Sequence, residues 1–89
     1  MPVMVTAEVQ GQTLQGYEGM LGALGGVIRE APGFLLHTAH PVEGGWRVIE
    51  IWESKKAADQ FFATTVAPNL PPGIRPKRSM QELHSVVMP

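Results

Sequence analysis

Three histidines, His37, His40 and His84, are the side chains of this sequence best suited to proton transfer near neutral pH. A neutral imidazole can take a proton from a phenol or from an activated carbon acid. We expect His84 and His40 to act as catalytic bases and His37 to contact a substrate. For each of them the alternative is a hydrogen-bonded polar residue of a strand with no catalytic role.

Glu50 and Tyr17 are two further candidates for handling protons. Glu50 shares one face of a predicted strand with Val48 and Trp52, and a carboxylate among apolar neighbours suits a general base. Tyr17 lies in the apolar stripe of a predicted helix, so its hydroxyl could donate a proton within a pocket. Alternatively, Glu50 is the partner of a nearby polar group or faces solvent at the sheet rim, and Tyr17 packs in the core.

Aromatic and basic side chains supply the candidate substrate-binding residues. Trp52 lies near the end of a predicted strand, where it either stacks on a flat substrate or packs as a core aromatic. Phe61 and Phe62 belong to the following predicted helix and would line or fill the same pocket. Arg75 begins a short basic cluster over residues 75–78, which is either a solvated loop or a clamp for an anionic substrate at the pocket mouth.

The sequence predicts no metal centre and no cofactor. It contains no cysteine, so thiolate ligands and disulfides are excluded. Its histidines have neither the His-x-x-x-His nor the facial-triad spacing of metal ligands. The glycines at positions 19, 22 and 25 lie inside a predicted helix rather than after a strand, so they are not a dinucleotide-binding motif.

Length and charge restrict the partners of the protein. Its 89 residues predict one domain, over residues 1–89. Seven basic and eight acidic residues give a net charge of −1, which leaves no basic stripe for a nucleic acid. No apolar run approaches the roughly 18 residues of a membrane span, and the first residues lack the features of a signal peptide. We therefore expect a cytoplasmic protein that binds neither nucleic acid nor membrane.

Hydrophobic periodicity predicts the elements that would position these residues. Alternation predicts a first strand that starts at Val3 and is ended by Gly11. Spacings of three and four predict a helix with the apolar stripe Leu14, Tyr17, Leu21, Leu24 and Ile28.

The remaining segments complete a β-α-β-β-α-β order. We predict strands over 34–42, 46–53 and 80–88, and a helix over 55–67 with Ser54 as its N-cap. This order is typical of a ferredoxin-like α+β fold with a four-stranded antiparallel sheet.

The pairing of the second and third strands decides which histidine faces Glu50. A three-residue turn over 43–45 would place His40 on the face of Glu50, whereas a two-residue turn at Gly44 and Gly45 would place His37 opposite Trp52. A shift of one residue moves every side chain to the other face, so both registers remain open.

Apolar residues occur on both faces of the predicted sheet. On the third strand Val48 and Trp52 lie on one face and Ile49 and Ile51 on the other. Two helices can cover only one face, and an identical sheet from a second subunit would cover the other. We therefore predict a homodimer.

Three segments resemble the antibiotic biosynthesis monooxygenase-like proteins. They are Val48-Ile-Glu-Ile-Trp52-Glu-Ser54-Lys-Lys-Ala57, Ala31-Pro-Gly-Phe34 and Glu82-Leu-His84-Ser-Val-Val87. The resemblance implies a dimeric α+β barrel with a pocket between each sheet and its own helices. It also implies that Trp52 matches a pocket-lining tryptophan of the oxygenases and that His84 matches a histidine common near the end of these chains.

This resemblance also narrows the expected activity. Such proteins include cofactor-free monooxygenases, polyketide cyclases, isomerases and haem-degrading enzymes, and the last carry an iron-binding histidine on the second helix, where residues 55–67 have none. We expect a cofactor-independent monooxygenase-like enzyme that acts on a hydrophobic aromatic or polyketide-like molecule with a histidine as base. The alternatives are a non-catalytic ligand-binding or stress-associated dimer and a cyclase or isomerase of the same fold.

Overall fold

The chain forms the β-α-β-β-α-β order expected from its sequence, in a computed structural model that describes residues 1–89. Strands and helices follow one another as β1 (Val3–Gln10), α1 (Leu14–Glu30), β2 (Phe34–Val42), β3 (Gly45–Trp52), α2 (Lys55–Phe61) and β4 (Lys77–Glu82). After α2 the chain continues as a π-helical turn (Phe62–Val66) and a 3₁₀ turn (Ala67–Asn69). No helix is both long enough and apolar enough to span a membrane.

All four strands belong to one antiparallel sheet with the order β2-β3-β1-β4. Pairing places the odd-numbered residues of β1 and the even-numbered residues of β3 on the same face, so that Val5 lies opposite Glu50 and Val9 opposite Trp46. We call this the inner face, because both helices lie against it. The predicted ferredoxin-like α+β fold is confirmed.

The β2–β3 hairpin has a register that differs from both predicted ones. Its turn is formed by Glu43 and Gly44, since Val42 pairs with Gly45 and His37 pairs with Glu50. Gly44 has a φ of +78°, a left-handed conformation that favours glycine. Gly45 is the first residue of β3, where the backbones of β1 and β3 approach closely. A Cβ on Gly45 would lie 2.3 Å from the Val9 carbonyl oxygen.

A β-bulge at Leu35 changes the side-chain alternation of β2. Phe34 pairs with Trp52, but Leu36 already pairs with Ile51, so one residue of β2 has no counterpart on β3. As a result Phe34 and His37, three positions apart, both lie on the inner face.

The hydrophobic core lies between the centre of the sheet and α2. It consists of Val3, Val5, Trp52, Ala58 and Phe61. The Trp52 ring contacts the rings of Phe34 and Phe61 at centroid distances of 5.5 and 5.3 Å. Helix α2 is fixed at its start by Ser54, which accepts a hydrogen bond from the Ala57 N–H at 3.1 Å, as predicted for its N-cap. In contrast, α1 contributes no buried residue.

The last strand is shorter than predicted. It begins at Lys77 and ends at Glu82, not at residue 88. Glu82 pairs with Val3, the first residue of β1, so residues beyond Leu83 have no strand beside them within the chain. The Leu83 N–H still donates to the Pro2 carbonyl at 2.8 Å, and the segment 84–89 extends past the sheet.

Two glycine-to-alanine variants should have opposite effects on stability. Gly33 has a φ of +84°, and a Cβ there would lie 2.7 Å from the Ala57 Cβ, so Gly33→Ala should lower the free energy of unfolding by about 1–3 kcal/mol. Gly22 lies inside α1 with no atom within 4 Å of an added Cβ, so Gly22→Ala should raise it by about 0.5–1 kcal/mol. Urea unfolding of both variants measures the difference, and equal effects would contradict the assigned backbone conformations.

Candidate active site

A cavity of about 570 Å³ separates the inner face of the sheet from the two helices. This volume lies within the range of pockets that bind drug-sized molecules. Its walls are largely apolar, and 16 of the 24 lining residues are hydrophobic. An organic molecule that entered it would therefore contact mainly apolar side chains.

The cavity exists because α1 does not close onto the sheet. Its apolar stripe (Tyr17, Leu21, Leu24 and Ile28) lines the cavity together with Met20, and no residue of this helix is buried. Leu14, predicted as part of the stripe, is instead 57% exposed. The Tyr17 ring stacks on Trp46 at 5.4 Å with an interplanar angle of 18°, which joins the start of α1 to β3.

A chain of hydrogen bonds runs from the core of the protein into this cavity. The Trp52 Nε1–H donates to Glu50 Oε1 at 2.9 Å. The second oxygen of Glu50, Oε2, lies 2.7 Å from His37 Nδ1, and His37 Nε2 lies 2.8 Å from the Tyr17 hydroxyl. We call these four residues the Tyr17–His37–Glu50–Trp52 relay.

The partners in the relay determine its proton positions. A carboxylate only accepts hydrogen bonds, so His37 donates Nδ1–H to Glu50, and its Nε2 accepts from the Tyr17 hydroxyl. A carboxylate in this position orients the imidazole and stabilises its protonated form. The side chains of His37 and Glu50 are each 19% exposed, so the relay is shielded from bulk water but open to the cavity.

Tyr17 is held in its neutral form by its surroundings. Burial, followed by the negative charges of Glu18 and Glu50, raises the pKa of Tyr17 above its ordinary value of 10.0. Near neutral pH its hydroxyl is therefore a hydrogen-bond donor and can pass a proton only if it receives one at the same time.

Of the five residues considered for proton transfer, namely the three histidines, Glu50 and Tyr17, three meet in the relay and two do not. Glu50, Tyr17 and His37 come together, although the sequence predicts His37 only as a substrate contact. His40 pairs with Arg47 on the outer face and is exposed, with its Nδ1 bonded to the Pro41 carbonyl at 2.9 Å. His84 is exposed in the segment after β4. Neither is near the cavity, because the hairpin turn is at residues 43–44 and β4 ends at Glu82.

The predicted substrate-binding residues also divide into two groups. Phe61 and Phe62 line the cavity. Trp52 does not: it is 1% exposed and packs in the core, where it supports Glu50. Arg75 is exposed in the loop before β4 and does not line the cavity, whereas Arg78, a residue of β4, does.

Sequence reasoning did not assign a role to Trp46 or, individually, to Arg78. Trp46 lies on the inner face of β3 together with Glu50. The period-two alternation of this strand therefore indicates in the sequence that the two side chains share a face. It lines the cavity, and its buried Nε1–H has no hydrogen-bond partner. Arg78 lines the cavity beside Phe62, with its Cζ 4.1 Å from the ring centroid.

Solved structures with a similar fold are known, although no protein-family model matches this sequence and a search of curated proteins found no match. SnoaB, a cofactor-independent oxygenase from Streptomyces nogalater, is 14% identical, with a TM-score of 0.69 over 97% of this chain and 95% of its own. Rv0793 from Mycobacterium tuberculosis is 15% identical, with a TM-score of 0.70 over 99% of this chain and 100% of its own. The heme-degrading protein Rv3592 from the same organism is 24% identical, with a TM-score of 0.66 over 99% of this chain and 100% of its own.

This chain has the antibiotic biosynthesis monooxygenase-like fold. The predicted resemblance is thereby confirmed for the fold, and at these identities the likeness does not extend to activity.

The antibiotic biosynthesis monooxygenase-like fold also accommodates haem in some proteins, but the donor set of this cavity does not fit a haem iron. Helix α2 and the turns after it, residues 55–69, contain no histidine. His37 is the only histidine that lines the cavity, and both of its nitrogens are already hydrogen-bonded within the relay. The described residues contain no cluster of three or more His, Asp or Glu side chains that could hold a metal ion.

Titration of Tyr17 should reveal its surroundings directly, because it is the only tyrosine in the chain. In the folded protein the rise in tyrosinate absorbance near 295 nm should have its midpoint above pH 10.0, and in urea at about pH 10. Since the folded-state pKa is the higher one, the stability that Tyr17 contributes is complete below pH 10 and decreases as pH rises through that pKa. Glu18→Gln should lower the folded midpoint, and a folded midpoint equal to that in urea would contradict the burial of Tyr17.

Proposed function

We propose that this chain is a cofactor-independent monooxygenase-like enzyme that oxidises a flat aromatic or polyketide-like molecule, with His37 as its base. The observation that carries the proposal is the relay, in which a carboxylate-supported imidazole and a neutral tyrosine open into an apolar cavity. The similar fold of SnoaB, a cofactor-independent oxygenase, supports a reaction with dioxygen.

In the first step the substrate loses a proton through the relay. A phenolic or activated C–H group next to the Tyr17 hydroxyl gives its proton to the tyrosine oxygen while Tyr17 passes its own proton to His37 Nε2. Glu50 stabilises the imidazolium that forms, since its Oε2 accepts from Nδ1 at 2.7 Å. The concerted transfer avoids a free tyrosinate, which the raised pKa of Tyr17 disfavours.

In the second step the substrate anion reacts with dioxygen. One electron passes from the anion to dioxygen, the two radicals combine in a C–O bond, and the relay returns its proton to the peroxide. Loss of the second proton from the same carbon then breaks the O–O bond and gives a carbonyl group and water. In balance, one activated methylene group and one dioxygen molecule yield one carbonyl group and one water molecule.

The walls of the cavity favour this chemistry. Phe61, Phe62 and Met20 surround the substrate with apolar surface, and the stacked pair of Tyr17 and Trp46 provides a flat wall parallel to which an aromatic ring can lie. Exclusion of water strengthens the electrostatic effect of Glu50 on His37.

Oxygen uptake with hydroxylated anthrones and naphthols tests the proposal. His37→Ala should reduce the rate by about 10²–10⁴-fold, the usual contribution of general acid–base catalysis, and Glu50→Gln and Tyr17→Phe should each reduce it less. His40→Ala and His84→Ala remove histidines outside the cavity and should leave the rate unchanged. Far-UV circular dichroism and urea unfolding establish that each variant is folded.

Other results would contradict parts of the proposal. Full activity in folded His37→Ala, or loss of activity in His84→Ala, would eliminate the assigned base. Substrate consumption that depends on His37 but not on oxygen would identify a cyclase or isomerase instead. Binding without consumption of any tested compound would favour the non-catalytic ligand-binding alternative.

We further propose that the protein is a homodimer through the outer face of its sheet. Met4, Leu36, Ile49 and Ile51 form an apolar centre on this face, since Ile51 pairs with both Met4 and Leu36. Within one chain Leu36 is 38% exposed, Met4, Ile49 and Ile51 are half-buried, and only 7 of 89 residues are buried. A second copy of the sheet would add the core that a domain of this size lacks.

A charge introduced on this face should disrupt the dimer. Sedimentation of the natural protein should give twice the 9.7 kDa of one chain, and Ile51→Lys should shift it towards the monomer. Val27→Lys makes the same kind of change at a residue of α1 that is 47% exposed, and should leave the dimer intact. A stable monomer of the natural protein at micromolar concentration would refute the proposal.

A further inference from the structure

Arg78 is a cation on the wall of an otherwise largely apolar cavity. Its side chain is 23% exposed, and its guanidinium lies over the Phe62 ring, with Cζ 4.1 Å from the centroid. A guanidinium has five N–H donors in a planar fork that matches a carboxylate. Stacking on Phe62 leaves those in-plane donors available.

Arg78 shares its nearest carboxylate, Asp59, with Lys55. Arg78 Nη1 lies 3.6 Å from Asp59 Oδ1, whereas the other oxygen of Asp59 accepts a hydrogen bond from Lys55 Nζ at 2.6 Å. The hydrogen bond from Lys55 is the largest cause that lowers the pKa of Asp59, and the charge and hydrogen bond of Arg78 lower it further. Asp59 therefore divides its charge between two cations, so that Arg78 is only partly neutralised within the chain.

The side chains that line the cavity have a positive net charge, whereas the whole protein has a negative one. The lining contains two cations, Arg29 and Arg78, and one anion, Glu50, whose oxygens are occupied by His37 and Trp52. The net charge of the chain is −1. A cavity that is more positive than its protein favours an anionic ligand.

Arg78 and His37 lie at opposite ends of the cavity. Arg78 is on β4 and His37 is on β2, and these are the two edge strands of the sheet. Three steps between neighbouring strands, each of about 4.8 Å, separate the two strands by about 14 Å, and Arg78 lies two residues along β4 from Met80, which is in the row of His37. Because both side chains extend into the cavity, a planar molecule of two or three fused rings can reach from one to the other.

We propose that Arg78 determines substrate specificity by binding a carboxylate at the end of the molecule remote from the group that His37 deprotonates. The substrate class is then a planar aromatic carboxylic acid with a phenolic or activated C–H group at its opposite end. This inference rests on the proposed function, from which it takes the cavity as the substrate site and the reactive group at Tyr17. Arg78 anchors the molecule so that its reactive end lies at Tyr17.

Equilibrium binding of two matched probes tests the assignment without turnover. The probes are 6-hydroxy-2-naphthoate and its neutral methyl ester, measured by isothermal titration calorimetry under nitrogen. The natural protein should bind the acid about tenfold more tightly than the ester, which corresponds to one charge-assisted hydrogen bond. Arg78→Gln should abolish this preference with little change in the Kd of the ester, and Arg78→Lys should retain part of it.

Two other arginines provide the controls. Arg75→Gln makes the same charge change outside the cavity and should keep the preference for the acid, whereas Arg29→Gln removes the other cation of the lining and should weaken the preference less than Arg78→Gln does. The proposal is overturned if the natural protein binds neither probe or shows no preference. It is also overturned if Arg78→Gln weakens both probes equally, or if either control variant abolishes the preference.

The outcome is separable from that of the proposed function. A preference that depends on Arg78, in a protein that consumes no oxygen, would retain this ligand class and reject the monooxygenase reaction. Oxygen uptake that depends on His37 but is equally fast with neutral phenols and with acids would retain the reaction and reject the role of Arg78.

Discussion

The carboxylate of Glu50 links the core of this protein to its candidate active site. One oxygen accepts the indole N–H of Trp52, which is fixed between Phe34 and Phe61, and the other accepts the imidazole N–H of His37. A half-buried carboxylate needs such partners, since an unpaired charge away from water is costly. The relay is therefore attached to the buried core, and Trp52 holds Glu50 in position instead of lining the cavity.

Helix α2 contributes to the hydrophobic core, and helix α1 forms a wall of the cavity. Helix α2 packs Ala58 and Phe61 into the core, whereas α1 buries no residue and leaves its apolar stripe facing a cavity. Hydrophobic periodicity indicates only which side of a helix faces inward. The sequence therefore does not distinguish a stripe that packs against the sheet from one that lines a cavity. The π-helical turn after α2 places Phe62 and Val66 at the cavity, as such turns frequently do at functional sites.

Much of the fold could be predicted from the sequence, but the site could be predicted only in part. Alternation and helical spacing predicted the order and type of the strands and helices, although the last strand lies at Lys77–Glu82 instead of residues 80–88. They also placed Val48, Glu50 and Trp52 on one face. The choice between His37 and His40 could not be made, because one residue in the hairpin turn exchanges the two faces. His84 was misplaced for a different reason: its segment has the alternation of a strand, but β1 begins at Val3 and offers no neighbour beyond Glu82.

By itself, then, the sequence determined the order of the elements, the antiparallel α+β fold, and Glu50 and Tyr17 as candidates for handling protons. Only the tertiary structure decided that His37 is the histidine of the relay, that Trp46 rather than Trp52 lines the cavity, and that Arg78 rather than Arg75 enters it. The physical reason is that element type follows from local periodicity, which every segment carries in its own residues. Which side chains meet depends instead on turn length, one bulge and the end of a neighbouring strand, and each of these is set by contacts between residues far apart in the chain.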